Sequence, residues 1–204
     1  SNLKNLYKFS VQKNHHTNLG YYIPDRYSEG YGISTAGIDF ANQNGFSLII
    51  ALDCGIKANE KVNYAKELGI DFIICDHHEP GEVIPECIVL DPKQSNCEYP
   101  FKELSGCGVG FKFLQGFYQS KNFDVKYLFE HLDLLAISIG ADIVPVTGEN
   151  RILVHYGLEL FNSNTRPGFL GLLDCADMRP GALNTTNIVF GIAPRINAAG
   201  RLGD

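Results

Sequence analysis

Two short apolar runs, each cut off by acidic and imidazole side chains, constrain this 204-residue chain more than any other feature. Ser47-Leu48-Ile49-Ile50-Ala51-Leu52 ends at Asp53-Cys54-Gly55, and Ile70-Asp71-Phe72-Ile73-Ile74-Cys75 ends at Asp76-His77-His78. Short runs rich in β-branched residues and followed at once by polar ones read as buried parallel strands. Between them Val62, Ala65 and Leu68 fall at helical spacing, with Gly69 placed to stop the helix. The unit is therefore β-α-β. Residues 87–90, ahead of Asp91-Pro92, predict a third strand, and residues 20–23, ahead of Pro24, an edge strand.

From Asp124 onward the pattern turns helical. Leu128, Leu132, Leu135 and Ile139 share one face, and over residues 150–161 the residues Ile152, Tyr156 and Leu160 align. Residues 168–204 carry Gly181, Gly191, Pro194, Gly200 and Gly203, which predict short, broken segments. The expected fold class is α/β, a mostly parallel sheet flanked by helices with a helical C-terminal half.

Composition narrows the function classes. With 45% hydrophobic and 20% charged residues the chain is an ordinary globular protein. It has no apolar run of the roughly 20 residues that a membrane span needs, and Ser1-Asn2-Leu3-Lys4-Asn5 lacks the apolar core of a secretory signal. The six cysteines, at 54, 75, 87, 97, 107 and 175, form no C-x-x-C pair, so zinc and redox motifs are disfavoured and buried free thiols in a reducing cytoplasm are expected. A formal charge of −6 gives no global basic face, so any phosphate recognition must be local.

In open parallel sheets, ligands bind beyond the carboxyl ends of the strands, where the loops converge. Asp53 and Asp76-His77-His78 occupy that edge and bring oxygen and nitrogen donors without thiolate, a set suited to Mn²⁺ or Mg²⁺. A lone aspartate after a strand is more often a turn or helix cap, and a histidine pair is more often solvated or packed. His15-His16, in a polar stretch, falls in that ordinary class, whereas two adjacent strand ends delivering such groups together do not. Asp142, within Ser138-Ile139-Gly140-Ala141-Asp142-Ile143-Val144-Pro145-Val146, stands in an apolar stretch where a helix is expected to break at Gly140. An ionised carboxylate there needs a partner, and a cation or a backbone cap would serve equally.

Asp76-His77-His78 is the signature triplet of the DHH phosphoesterase superfamily, and the chain resembles that superfamily along nearly its whole length. Asp53-Cys54-Gly55-Ile56 is similar to its second motif, Gly140-Ala141-Asp142-Ile143-Val144-Pro145 to its fourth, and Ser105-Gly106-Cys107-Gly108-Val109 to a glycine-rich loop that opens a helix. Two flanking stretches, residues 22–32 (Tyr22-Ile23-Pro24-Asp25-Arg26 and onward to Gly32) and 194–201 (Pro194-Arg195-Ile196-Asn197-Ala198-Ala199-Gly200-Arg201), resemble the RecJ family of exonucleases, which trim single-stranded DNA from the 5′ end.

The resemblance implies a division into a catalytic domain over 1–165 and its end plus a connector over 166–204. It implies that Asp53 bridges two divalent ions, Mn²⁺ or Mg²⁺, that His77 and Asp142 ligate one of them, and that His78 faces the scissile phosphate. Asp76 would be a ligand or the carboxylate that orients an imidazole. The reaction implied is in-line phosphodiester hydrolysis between two metal ions. Arg26 and Arg195, each in a loop marked by glycine or proline, are candidates for a terminal phosphate, with Asn197 and Arg201 on the same strand's backbone and the amides of Gly106 and Gly108 cradling another phosphate.

The family's first motif, an Asp-x-Asp followed by Asp-Gly, should precede Tyr7-Lys8-Phe9, and Asn2 to Asn14 contains no aspartate. The expectation is that these residues alone bind one ion weakly, hydrolyse DNA negligibly, and self-associate through the sheet edge that a missing strand exposes. Two other readings stand beside it: a DHH phosphodiesterase acting on short oligonucleotides or cyclic dinucleotides, and a non-catalytic scaffold that binds DNA or protein.

Overall fold

The computed structural model describes residues 19–25 and 27–199. Three strands, β1 (Leu48–Leu52), β2 (Asp71–Cys75) and β3 (Ile88–Leu90), form one parallel sheet in the order β1-β2-β3. Leu48 pairs with Asp71 and Leu52 with Cys75, while Cys75 pairs with Leu90, so all three strands end at one level. The ladder runs one step past the strand ends, because the Asp53 amide donates to the Cys75 carbonyl at 2.8 Å and the Asp76 amide to that of Leu90 at 3.0 Å.

Helix α1 (Thr35–Gln43) precedes β1, and α2 (Asn59–Glu67) makes the crossover to β2. Ser34 caps α1 by accepting from the Gly37 amide, and Gly69, at φ 72°, ends the crossover where a left-handed residue is needed. Side chains alternate across β2 as a pleated strand requires. Phe72 and Ile74 join Ile38, Ala41, Val62 and Ala65 on one face, and Cys75 joins Leu104 and Val109 on the other, with Ile73 packed beside them.

The second face is closed by α3 (Gly106–Ser120), capped by Ser105. Beyond it lie α4 (Lys126–Phe129), α5 (Leu132–Ala141), α6 (Gly148–Ser163) and α7 (Pro167–Cys175), then α8 (Thr185–Asn187), a π-helical turn (Ile188–Ile192) and α9 (Ala193–Ala199). Helix α5 is the centre of this half, with Leu134, Leu135, Ala136, Ile137 and Ile139 all buried. A Cβ on Gly157 would overlap the Leu132 carbonyl and the Ala136 side chain, so the glycine lets α6 lie directly on α5. Residues on both sides of position 165 share this core, including Phe161, Phe169, Leu173, Ile188 and Ile192.

Several expectations are corrected. Residues 20–23 form no strand. Leu48 is 44% exposed and Ile88 61%, because among the described residues β1 and β3 are the outer strands of the sheet. Helix α6 buries Val154, Gly157 and Phe161 and exposes Ile152 and Tyr156, since the glycine face makes the closer approach. The helix does not break at Gly140, which lies against Ile188, and it runs on to Ala141. Nor do Gly191 and Pro194 break the chain: the wide π turn ahead of Pro194 takes up the register change that proline imposes. All six cysteines are free, Cys75 and Cys107 being buried and Cys175 exposed. Among the described residues, no helix is long and apolar enough to cross a membrane.

One ion pair joins the start of α5 to the start of α7. Arg166 donates through Nε to Asp133 Oδ2 at 2.5 Å and through Nη2 to Oδ1 at 3.1 Å, and also to the Glu130 carbonyl. Asp133 is 1% exposed, so removing the arginine would strand a buried carboxylate. Arg166→Ala should destabilise the chain by about 3 kcal/mol in urea unfolding, and Arg166→Lys should recover only part of that, because an ammonium lacks the two-pronged fork.

Candidate metal centre

The aligned strand ends put Asp53 and Asp76-His77-His78 side by side. Asp53 has a left-handed backbone, φ 65°, a conformation that aspartate tolerates better than most residues and that turns its carboxylate across the end of the sheet. Its Oδ1 lies 3.2 Å from His77 Nε2. Asp53, His77 and His78 each offer a ligand atom within 4.8 Å of the other two. Contact with the Asp53 carboxylate raises the His77 pKa against the opposing effect of burial, with the charges of Asp142 and Asp76 adding to the rise.

Asp76 plays a different part. It is 1% exposed, and both of its oxygens are taken by the protein: Oδ2 accepts from the Ile56 amide at 2.9 Å, and Oδ1 from the His77 amide at 2.8 Å and lies 2.6 Å from His78 Nδ1. Burial alone would push its pKa up, but the Ile56 amide, the His78 ring and the amides of His77 and His78 outweigh it and hold the pKa below the usual value.

Asp142 arrives from the helical half as the C-cap of α5, followed by Ile143 at φ 55°. Burial first, and then the Asp53 charge, raise its pKa to about 6, while His77 and the Gly106 amide pull the other way. Its Oδ2 is buried without a hydrogen-bond partner. An acid crowded against another acid, with one oxygen unmatched, is the arrangement a divalent cation resolves. The donors are carboxylate oxygens and imidazole nitrogens, so the residues present fit Mn²⁺ or Mg²⁺. Cys54, beside Asp53, has its thiol pushed up to about 12 by burial and then by Asp76 and Asp53, so it stays protonated and offers no thiolate.

The expected contributors from elsewhere divide. Gly106 belongs to the site for a reason its motif did not suggest: a Cβ there would overlap the Asp53 carboxylate. Its amide is directed at Asp142, and the Gly108 amide is taken by Ser105 Oγ at 3.0 Å, so the two N–H groups serve protein oxygens. Arg195 sits on α9 rather than in a loop, and its Nη1 donates to the Gly191 carbonyl one turn back, at 2.6 Å. Asn197 lines a groove of about 320 Å³ with Gly140, Ala141 and Ile143, next to Asp142. Arg26, Arg201 and the His15-His16 pair lie outside the described residues.

Two buried polar residues of this region were not legible from motifs. Asp91, 2% exposed at the end of β3, has an unpartnered Oδ2 and a pKa raised by burial and then by Asp76 among other charges. Asn150, on α6, is fully buried. The Asp91-Pro92 step after a strand was the available signal for the first; nothing in the sequence distinguished the second.

The profile of the DHH family, N-terminal domain, matches residues 3–139. The single-stranded-DNA-specific exonuclease RecJ of Bacillus subtilis is 41% identical over 201 residues, covering 98% of this chain and 24% of the relative. The protein of the same name in Salmonella typhimurium is 37% identical over 198 residues, covering 92% of this chain and 34% of the relative. The chain thus spans a quarter to a third of the length of these relatives. A crystal structure of exonuclease RecJ bound to manganese superposes with a TM-score of 0.77 at 32% identity, over 90% of this chain and 46% of that one. A second, RecJ of Thermus thermophilus in complex with Mn²⁺, gives 0.70 at 30% identity, over 81% of this chain and 24% of that one. By a match that takes in more than half of its residues, the chain belongs to the DHH family.

Proposed function

We propose that these residues form the metal-binding core of a 5′-3′ exonuclease specific for single-stranded DNA. The observation that carries the reading is the meeting of Asp53, His77 and His78 at one point beside a buried carboxylate oxygen of Asp142 that no protein group satisfies. In this reading Asp53, His77 and Asp142 would hold a divalent ion, and Asp53 would serve a second as well. When bound, the ions supply the hydroxide and stabilise charge on the departing oxygen. Asp76, with both oxygens engaged, is an orienting group: it fixes the His78 ring through Nδ1, leaving Nε2 to face the scissile phosphate.

The substrate reading is supported by the relatives, which are named as single-stranded-DNA-specific exonucleases, and Asn197, in a groove that also takes in Ala141 and Ile143 on either side of Asp142, is the candidate for the strand's backbone. Arg26, Arg195 and Arg201 are the phosphate-binding candidates, with a 5′ end as their target. The helices after residue 165 close the catalytic domain and lead into a connector. Six free cysteines suit a reducing cytoplasm.

On a 5′-phosphorylated single strand with Mn²⁺, a protein carrying these residues at the length of its relatives should release products from the 5′ end. Asp53→Asn or His77→Ala should lower the rate by about 100-fold or more. Equal activity on dinucleotides alone, or none on the long strand, would overturn the substrate. The 204-residue chain by itself should bind Mn²⁺ weakly and turn over negligibly.

Asp142 gives a test by pH. Folding raises its pKa, so its contribution to stability is intact below about pH 4 and lost as pH rises through about 6, a difference of about 3 kcal/mol. In EDTA, Asp142→Asn should therefore be more stable than the wild type at pH 8, the gap closing towards pH 4 in urea titrations. Mn²⁺ should stabilise the wild type and leave the variant unmoved.

The outer edge of β1 is unpaired among the described residues and faces an apolar trough of about 390 Å³ lined by Leu48, Ile50, Tyr22 and Phe46. We infer that a second copy covers this edge in the isolated chain. Sedimentation velocity should show concentration-dependent association, which a charged residue at Ile50 weakens; a monomer at every concentration would contradict it.

A further inference from the structure

The least conspicuous buried polar side chain near the metal centre is Asn150, in the first turn of α6 and 0% exposed. Its Nδ2 donates to the Glu103 carbonyl at 2.5 Å and to the Pro145 carbonyl at 3.0 Å. These carbonyls belong to two different segments. Glu103 lies three residues before Gly106, whose backbone abuts the Asp53 carboxylate and whose amide is directed at Asp142. Pro145 lies three residues after Asp142 itself.

One amide group thus ties together the two strands of chain that carry the parts of the site not delivered by the sheet. The Asn150 Oδ1 is buried without a partner, so the side chain's hydrogen bonding is all in its two donated bonds, and an apolar residue there would strand both carbonyls. Neighbouring groups point the same way. Glu149 accepts from Tyr99 Oη at 2.9 Å and pairs with Lys112 Nζ at 2.7 Å, and Gly148, at φ 47°, leaves room for Phe101. The start of α6 is therefore fastened to residues 99–103 and to α3 by adjacent side chains.

We propose that Asn150 is a positioning residue for the metal centre, holding the Asp142 segment against the start of α3 so that Asp142, Gly106 and Asp53 keep one geometry. The assignment rests on the metal-centre reading above, but it touches no ion and no substrate and acts only through the two carbonyls. Asn162, on the same helix, provides a control: its Nδ2 donates to the Leu183 carbonyl and its Oδ1 accepts from the Leu183 amide, at 2.9 Å each, tying α6 to a segment that carries none of the candidate ligands.

The test compares the wild-type chain with Asn150→Ala, Asn150→Ser and Asn162→Ala, by amide hydrogen exchange without metal and by Mn²⁺ titration followed by electron paramagnetic resonance. In Asn150→Ala, exchange in both 103–108 and 141–146 should accelerate by at least about tenfold, and Mn²⁺ affinity should fall about tenfold. Asn150→Ser, which keeps one donor, should lie between, and Asn162→Ala should lose thermal stability while changing neither quantity. A folded Asn150→Ala with wild-type exchange in either segment overturns the assignment. So does failure of both Asn150 variants to fold while Asn162→Ala folds, which would make the residue a folding determinant only. Absence of Mn²⁺ uptake by the wild type would overturn the metal-centre reading instead, and exchange would still decide whether Asn150 couples the two segments.

Discussion

Negative charge crowded at one end of a small parallel sheet is the constraint that the rest of this structure answers. Asp53, Asp76 and Asp91 stand at the ends of β1, β2 and β3, and Asp142 comes in from the helical half. The protein neutralises them unequally. Asp76 has backbone amides and an imidazole on both oxygens, and its pKa falls in spite of burial. Asp142 and Asp91 each keep an unmatched buried oxygen, and their pKa values rise. Protein dipoles satisfy Asp76 but leave one oxygen of Asp142 and one of Asp91 unmatched, and of the two Asp142 is the one that the proposed metal centre would use.

Close approach does the rest of the placement. Gly106 brings the start of α3 against the Asp53 carboxylate, Gly157 brings α6 onto α5, and Gly140 brings the π turn onto the end of α5. The first contact joins the sheet end to the helices, and the other two close-pack the helical layer that carries Asp142. A methyl group at Gly106 would displace the carboxylate that the turn at Asp53 aims. The backbone at Asp53 and Ile143 is left-handed on either side of the centre, and β-branched Ile143 in that region holds strain of the kind that surrounding structure must enforce.

What could be read in the sequence was the part governed by short-range pattern. The strands announced themselves because β-branched runs stop abruptly at Asp53 and Asp76, and the crossover helix because Gly69 ends it. What could not be read was set by packing between distant segments. Apolar residues line both sides of α6, and only the fit of Gly157 against Leu132 decides that Val154 and Phe161 face inward and Ile152 and Tyr156 outward. Gly140 looked like a breaker for want of any sign that Ile188 would lie on it. The glycines of residues 105–109 suggested free amides, yet Ser105 and Asp142 are the acceptors they meet.

The site is thus made of two parts with different mechanical support. Asp53 and His77 are fixed by strand ends whose hydrogen-bond ladder continues through the Asp53 and Asp76 amides. Asp142 follows the last turn of a helix and is held by burial and by the tie that Asn150 makes from Pro145 to Glu103. Ligands on separate supports hold an ion well only when their relative position is set beforehand, because an ion that must draw them together spends its binding energy on ordering the protein. In the proposed centre the unsatisfied oxygen of Asp142 would supply the attraction, and the buried amide of Asn150 would set the position from which it acts.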